Sequence, residues 1–291
     1  MKIVVTGADG QLGRSLRALD QARKQEFQAN EYDYVFAGHS SLDVTDRDAV
    51  QAFMRRERPD AIVNCAAWTN VDGAENDEEG ARLLNAAAPA YLAQAALDTG
   101  ALLIHISTDY VFSGDRSDGL PYAESDGPAP KTAYGRTKLE GEEAVRQSGC
   151  KYLILRTAWL YSPYGKNFVK TMLRLFDEKE EIQVVADQTG SPTSAIDLAR
   201  CIEHLLLQKN LPIGLYHYTD EGRCSWYDFA VEISRLSGKT SCRIHPCTTA
   251  EYPTPAQRPA WSVLDKTKIK KIDGLVIPDW KEALKEFIQN G

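Results

Sequence analysis

The chain has 291 residues, 43% hydrophobic and 26% charged, with a formal net charge of -7 and a pI near 5.4. That length can bury a sizeable core in one large domain with a smaller companion, and the acidic balance argues against a general nucleic-acid or anionic-membrane binder. No apolar run approaches the roughly 18 residues of a membrane span, and six scattered cysteines without C-x-x-C spacing fit reduced, cytoplasmic thiols better than a disulfide framework.

The chain enters at once the β-branched run Ile3-Val4-Val5, suited to a strand buried on both faces, so no signal peptide is expected. Gly7, Gly10 and Gly13 follow at three-residue spacing, ahead of a helix. Glycine permits a sharp turn, lets backbone N–H groups approach a pyrophosphate and lets the helix pack closely, while the helix N-terminus offers partial positive charge. The segment Gly7, Gly10, Gln11, Leu12 and Gly13 therefore predicts a dinucleotide site, with a tight turn lacking any ligand as the alternative. Its spacing is G-x-x-G-x-x-G, not the commoner G-x-G-x-x-G.

Tyr34 to Ala37 reads as a second strand, ending in Gly38-His39-Ser40. Where an acid often meets the ribose 2′-hydroxyl of NAD, His39 and Ser40 leave room for a 2′-phosphate, so the choice between NADPH and NADH stays open. A helix is expected from Asp46 to Arg56 with Thr45 as its N-cap. Before it, Asp43, beside Val44, either reaches an adenine edge or serves as a turn-forming aspartate. Ala61 to Ala66 is the next buried strand, and Ala66 and Ala67 are small enough for a cofactor to lie over them. Trp68-Thr69-Asn70 form a loop, and Asn76 to Leu97 reads as one alanine-rich helix stopping at Gly100, in which Asn85 has a minor role.

Ala101 to Ile106 is a buried strand running into Ser107-Thr108-Asp109-Tyr110. Ligands of open parallel sheets sit outside the carboxyl ends of the strands, so hydroxyls there face the pocket and Thr108 is the first chemical candidate. The loop Gly114 to Lys131 precedes a helix starting near Thr132 that carries Tyr134 and Lys138, and the strand Tyr152 to Leu155 ends at Arg156-Thr157-Ala158-Trp159. The alternation predicts an α/β fold: a Rossmann-type doubly wound parallel sheet with a smaller mixed α/β substrate-binding lobe. Residues 1–160 form the cofactor domain, with 194–222 returning to it, and 161–193 with 223–291 form the lobe. Further elements are a helix Asn167 to Lys179, a strand Ile182 to Val185, a polar turn Asp187 to Thr193, and helices Asp197 to Leu207, Trp226 to Leu236 and Asp279 to Gln289. The prolines of Tyr252 to Pro259 stiffen an extended path that holds Arg258.

Tyr134 and Lys138 are four residues apart and share one helix face. A nearby ammonium and an oxidised nicotinamide would lower a phenol pKa of about 10, making Tyr134 a usable proton donor, while Thr108 bonds the substrate oxygen. Tyr-x-x-x-Lys alone occurs by chance in most proteins. Its place after the Thr108 strand and downstream of the glycine turn is what makes it informative.

The glycine spacing resembles that of extended short-chain dehydrogenase/reductases. Thr6 to Gly13 (TGADGQLG), Ala66 to Glu75 (AAWTNVDGAE), Ser107 to Phe112 (STDYVF), Tyr134 to Lys138 (YGRTK), Arg156 to Tyr161 (RTAWLY) and Tyr252 to Pro259 (YPTPAQRP) are similar to the dTDP-4-dehydrorhamnose reductase family. The resemblance implies reduction of a nucleotide-activated 4-keto-6-deoxyhexose to dTDP-L-rhamnose with NADPH or NADH. It makes Thr108, Tyr134 and Lys138 the catalytic set, the last two also touching the cofactor. It lays Thr69, Asp109, Tyr110 and Trp159 along the sugar and Arg258 on the pyrophosphate. A surface ion pair is the alternative for Arg258, and core packing for Trp159. Some relatives dimerise through a magnesium site with a carboxylate shortly after the glycine turn. Arg14-Ser15 stand there, so no metal is carried over and a homodimer stays open. Two other readings remain: an epimerase or dehydratase that holds and regenerates NAD, and a non-catalytic NAD(P)-binding regulatory subunit.

Overall fold

The structure, a computed structural model, describes residues 1–26, 32–208 and 213–290; residues 27–31, 209–212 and 291 of the expected divisions lie outside the described residues. The first half alternates β1 (Lys2–Thr6), α1 (Gln11–Glu26), β2 (Asp33–Ala37), α2 (Arg47–Glu57) and β3 (Ala61–Asn64). Three helices, α3 (Val71–Asn76), α4 (Glu78–Arg82) and α5 (Ala88–Thr99), then lead to β4 (Leu102–Thr108), α6 (Ala133–Gln147) and β5 (Lys151–Thr157). The second half holds β6 (Leu160–Tyr161), α7 (Phe168–Glu178), β7 (Glu181–Val185), β8 (Thr189–Gly190), β9 (Thr193–Ser194) and α8 (Ala195–Leu206). It closes with β10 (Gly214–His217), β11 (Cys224–Ser225), α9 (Trp226–Ser237), β12 (Arg243–Cys247) and α10 (Trp280–Asn290).

Six strands form one sheet in the order β10-β5-β4-β3-β1-β2, with every pairing parallel. Alternation along β1 explains its two covered faces. Ile3 and Val5 pack with Leu12 and Leu16 of α1 and Leu198 and Ile202 of α8, whereas Val4 packs with Val50 and Met54 of α2 and Leu92 and Ala96 of α5. Each such side chain, fully buried, contributes about 1.5–3 kcal/mol. A third core gathers Phe176 of α7, Phe229 and Ile233 of α9, and Trp280 and Leu284 of α10, with Tyr161. Among the described residues no helix is long and apolar enough to cross a membrane.

Several expected boundaries move for local reasons. The N-cap of α2 is Asp46, whose carboxylate takes the N–H groups of Asp48 and Ala49, because Thr45 is held by Asp43 instead. The single helix expected over 76–97 is broken. Asp77 leaves helical geometry to cap α4, and residues Leu83–Ala87 form a π-turn that joins α4 to α5. That turn brings the backbone of Asn85 against α6, where a Cβ on Gly141 would lie 2.0 Å from the Asn85 carbonyl oxygen. Buried Asn85 has more than a minor part: it pairs with both backbone groups of Trp68 and donates to the Thr137 hydroxyl. The polar turn at 187–193 contains β8, antiparallel to β11, and β12, unmarked by any sequence pattern, pairs parallel with β7.

Candidate active site

At the carboxyl edge of the sheet the glycine turn behaves as its composition requires. Gly7 has φ +61°, and a Cβ there would stand 2.5 Å from the amide nitrogen of Ala66 at the end of β3. On Gly13 it would meet the Gly7 carbonyl oxygen at 2.6 Å. The first turn of α1 contains no acidic residue, so its unsatisfied N–H groups and positive end face the crevice without a neutralising side chain. These features fit a dinucleotide pyrophosphate.

A cleft of about 430 Å³ runs from this turn across the sheet edge. Gly10, Gln11, Leu12, Ala67 and Thr69 line one end, and Thr108, Asp109, Tyr110, Tyr134, Lys138 and Trp159 the other. Eight of the expected residues stand apart from its lining, Gly13 and Arg258 among them. His39, Ser40 and Asp43 are exposed on the turns after β2, and Asp43 accepts from Thr45 through its backbone N–H and hydroxyl, the turn-forming alternative. Val44 is buried in the core, while Gly7 and Ala66 shape the turn through their backbones. The Gln11 side chain bonds Ser162 and Asn167, tying the glycine turn to the segment before α7.

Thr132 caps α6 through the Gly135 N–H, and Glu75 of α3 takes the Ala133 N–H at 2.9 Å. The helix is fixed again by Glu142, buried beside Arg156 in a bidentate pair at 2.8 and 2.6 Å and accepting from the Ser107 hydroxyl at 2.5 Å. Ser107 and Thr108 both line the cleft, but the Ser107 hydroxyl is tied to Glu142 and the Thr108 hydroxyl to Asp109. Lys138, 2% exposed, donates to the Ile106 carbonyl at 2.6 Å. Burial pulls its ammonium down to about 8, against the attraction of Glu142.

In the protein without its cofactor, burial pushes the Tyr134 phenol up from its ordinary value, Asp109 and Tyr110 add to the rise, and the Thr108 hydroxyl opposes it. The lysine end group is turned to the Ile106 carbonyl. The protein alone therefore keeps Tyr134 protonated, the form a proton donor needs. Asp109 accepts from the Thr108 hydroxyl at 2.9 Å. Burial lifts its carboxyl to about 6.

Trp159 occupies the left-handed region at φ +49°, a conformation strained for a bulky residue. It stacks on Trp226 with ring centroids 3.5 Å apart, and a Cβ on Gly190 would lie 2.6 Å from the Trp159 ring. Beyond these indoles a second cleft of about 460 Å³ opens, lined by Tyr110, Trp226, Tyr252, Thr254 and Arg258 among others. Arg258 is absent from the first cleft and lines this one. Sequence reasoning missed Trp226, Glu142 and Arg156. The buried charge of Arg156 within a strand was the available signal for the ion pair, and nothing local marked Trp226.

A tyrosine and lysine one helical turn apart, opposite a threonine and beside a glycine turn at the edge of a parallel sheet, is the arrangement of extended short-chain dehydrogenase/reductases. A family model described as the RmlD substrate binding domain matches residues 1–291. The dTDP-4-dehydrorhamnose reductase of Aggregatibacter actinomycetemcomitans is 40% identical over 98% of both chains. A probable dTDP-4,6-dihydroxy-2-methyloxan-3-one 4-ketoreductase of Streptomyces antibioticus is 43% identical over 98% of this chain and 94% of its own. The solved structure of a Bacillus anthracis dTDP-4-dehydrorhamnose reductase in complex with NADP superposes with a TM-score of 0.92, at 40% identity, over 100% of this chain and 99% of that one. The chain belongs to the RmlD family of dTDP-4-dehydrorhamnose reductases.

Proposed function

We propose that this protein is an NAD(P)H-dependent reductase of a nucleotide-activated 4-keto-6-deoxyhexose, with dTDP-4-dehydro-L-rhamnose its substrate and dTDP-L-rhamnose its product. The observation that carries the reading is Thr108, Tyr134 and Lys138 in one cleft with the α1 glycine turn. Residues 1–160 with 194–222 hold the cofactor, and 161–193 with 223–291 complete the sugar-nucleotide site. Its reduced thiols and acidic charge suit the cytoplasm.

When bound, NADPH or NADH supplies the hydride for the carbonyl carbon. Tyr134 donates its proton to the carbonyl oxygen, and the Thr108 hydroxyl, turned from Asp109 to that oxygen, holds it in place. Lys138, anchored on Ile106, stands behind Tyr134 as the charge that stabilises the phenolate left after transfer. Thr69, Asp109 and Trp159 border the sugar, and Tyr110, common to both clefts, marks where sugar and nucleotide join. Arg258 beside it offers a guanidinium to the diphosphate.

The test is NADPH oxidation by the purified protein with dTDP-4-dehydro-L-rhamnose, compared with UDP and GDP counterparts. Turnover with the dTDP sugar is expected, and bound NAD recycled without net NADPH consumption would overturn the reading. The Streptomyces relative favours a second arm, a dTDP-4-keto-6-deoxy sugar that lacks the 2-hydroxyl, because its identity to this chain is as high as that of the rhamnose enzymes.

A further inference from the structure

Arg258 sits on a segment without helix or strand, residues 252–259, yet its guanidinium has a defined position. One terminal nitrogen donates to Asp72 Oδ2 at 2.5 Å and the other to the Tyr110 hydroxyl at 3.2 Å. The other oxygen of Asp72 takes the Ala256 N–H at 3.1 Å. A single carboxylate thus grips both the backbone and the charged end of the segment. Asp72 itself is well fixed. It lies in the first turn of α3, whose start is capped by Asn70, and Glu75 on the same helix takes the first N–H of α6. Tyr110 meets the Tyr134 ring edge-on at a centroid distance of 5.5 Å. The six residues of α3 therefore brace the helix that carries the proton donor against the loop that carries the cation.

We infer that Asp72 is a positioning residue for the sugar nucleotide: it holds the Arg258 guanidinium at the junction of the two clefts, ready for the substrate diphosphate. This rests on the function proposed above. The physical basis is preorganisation. A free arginine loses much rotamer freedom on binding an anion, and one already clamped loses little. The pair also keeps the cleft from presenting an uncompensated carboxylate to a diphosphate, since the Asp72 charge faces the Arg258 guanidinium.

Binding of dTDP and of thymidine to the NADP-loaded protein, measured by calorimetry for wild type, Asp72→Ala, Asp72→Asn, Arg258→Ala and Asp72→Ala/Arg258→Ala, tests the inference. Asp72→Ala is expected to weaken dTDP about tenfold and leave thymidine unchanged. Asp72→Asn, which keeps one acceptor oxygen for either Arg258 or Ala256 but not for both and removes the charge, recovers only part of the loss. In the Arg258→Ala background the Asp72 change adds little, since the residue acts through that arginine. In turnover the effect falls on KM for the sugar nucleotide and not on kcat. Tighter or unchanged dTDP binding by Asp72→Ala, an equal loss for thymidine, or additivity with Arg258→Ala would overturn the inference. Wild-type protein that binds dTDP without reducing the keto sugar refutes the reductase reading alone, and wild-type protein that binds no dTDP refutes both.

Discussion

Asp109 offers a measurement that separates burial from hydrogen bonding at the centre of the cleft. It is 3% exposed and accepts from Thr108, with the Ser262 hydroxyl and the backbone N–H groups opposing the effect of burial. Burial lifts its carboxyl from an ordinary 3.8 to about 6. Between those values the native state retains a proton that the unfolded chain has lost, so stability falls as pH rises through the window. Above about 6 the full cost applies, about 3 kcal/mol. Asp109→Asn keeps the shape and the oxygen that accepts from Thr108 while removing the ionisation. Urea unfolding of variant and wild type at about pH 4.5 and about pH 7.5 should show the variant gaining on wild type by about 2 kcal/mol between the two conditions. The absolute difference at one pH matters less, because the buried amide carries its own desolvation. A gap that is constant with pH, or that narrows as pH rises, would refute the claim that a costly buried carboxylate stands beside Thr108.

Other substitutions probe the remaining supports. Tyr134→Phe should lower kcat by about 10²- to 10⁴-fold with the NADPH affinity nearly intact; turnover at the wild-type rate would remove Tyr134 as the proton donor. Lys138→Met should weaken both NADPH binding and turnover, read by cofactor titration and single-turnover kinetics. Glu142→Ala leaves Arg156 buried and unpaired, so unfolding free energy should drop by about 3–5 kcal/mol, a loss measurable by urea titration. Gly7→Ala places a methyl 2.5 Å from the Ala66 nitrogen at a positive φ. It should cost at least about 1–3 kcal/mol in thermal or urea unfolding and abolish NADP binding in a titration.

The parallel sheet was legible because its strands are short, β-branched and buried on both faces, and because strand and helix alternate through residue 157. The glycine turn was legible for a similar reason: only a glycine at position 7 allows β1 to turn beneath Ala66. What escaped was set by contacts between residues far apart in the chain. Asp72 and Arg258 are separated by 186 residues, and neither carries a local sign of the other. The stacking of Trp226 on Trp159 likewise depends on α9 packing against the turn after β5. Even the helix over 76–97 failed as a single element for a tertiary reason, since the π-turn at Leu83–Ala87 seats the Asn85 backbone on Gly141 of α6.

The phenol of Tyr134 shows most clearly where pattern reasoning stops. A spacing of four places Tyr134 and Lys138 on one face of α6, and both do line the cleft. Spacing does not say where a four-carbon side chain sends its charge. In the folded protein that charge goes to the Ile106 carbonyl, with Glu142 one turn further along the helix to attract it. The ammonium is therefore anchored on the strand, and in the protein without its cofactor burial, Asp109 and Tyr110 raise the phenol while Thr108 opposes them. A proton donor for a ketone must begin protonated, so the arrangement serves reduction without an ammonium touching the phenol. The charge of Lys138 then matters at the later point, when the proton has left Tyr134 and an anion stands in a buried site beside it.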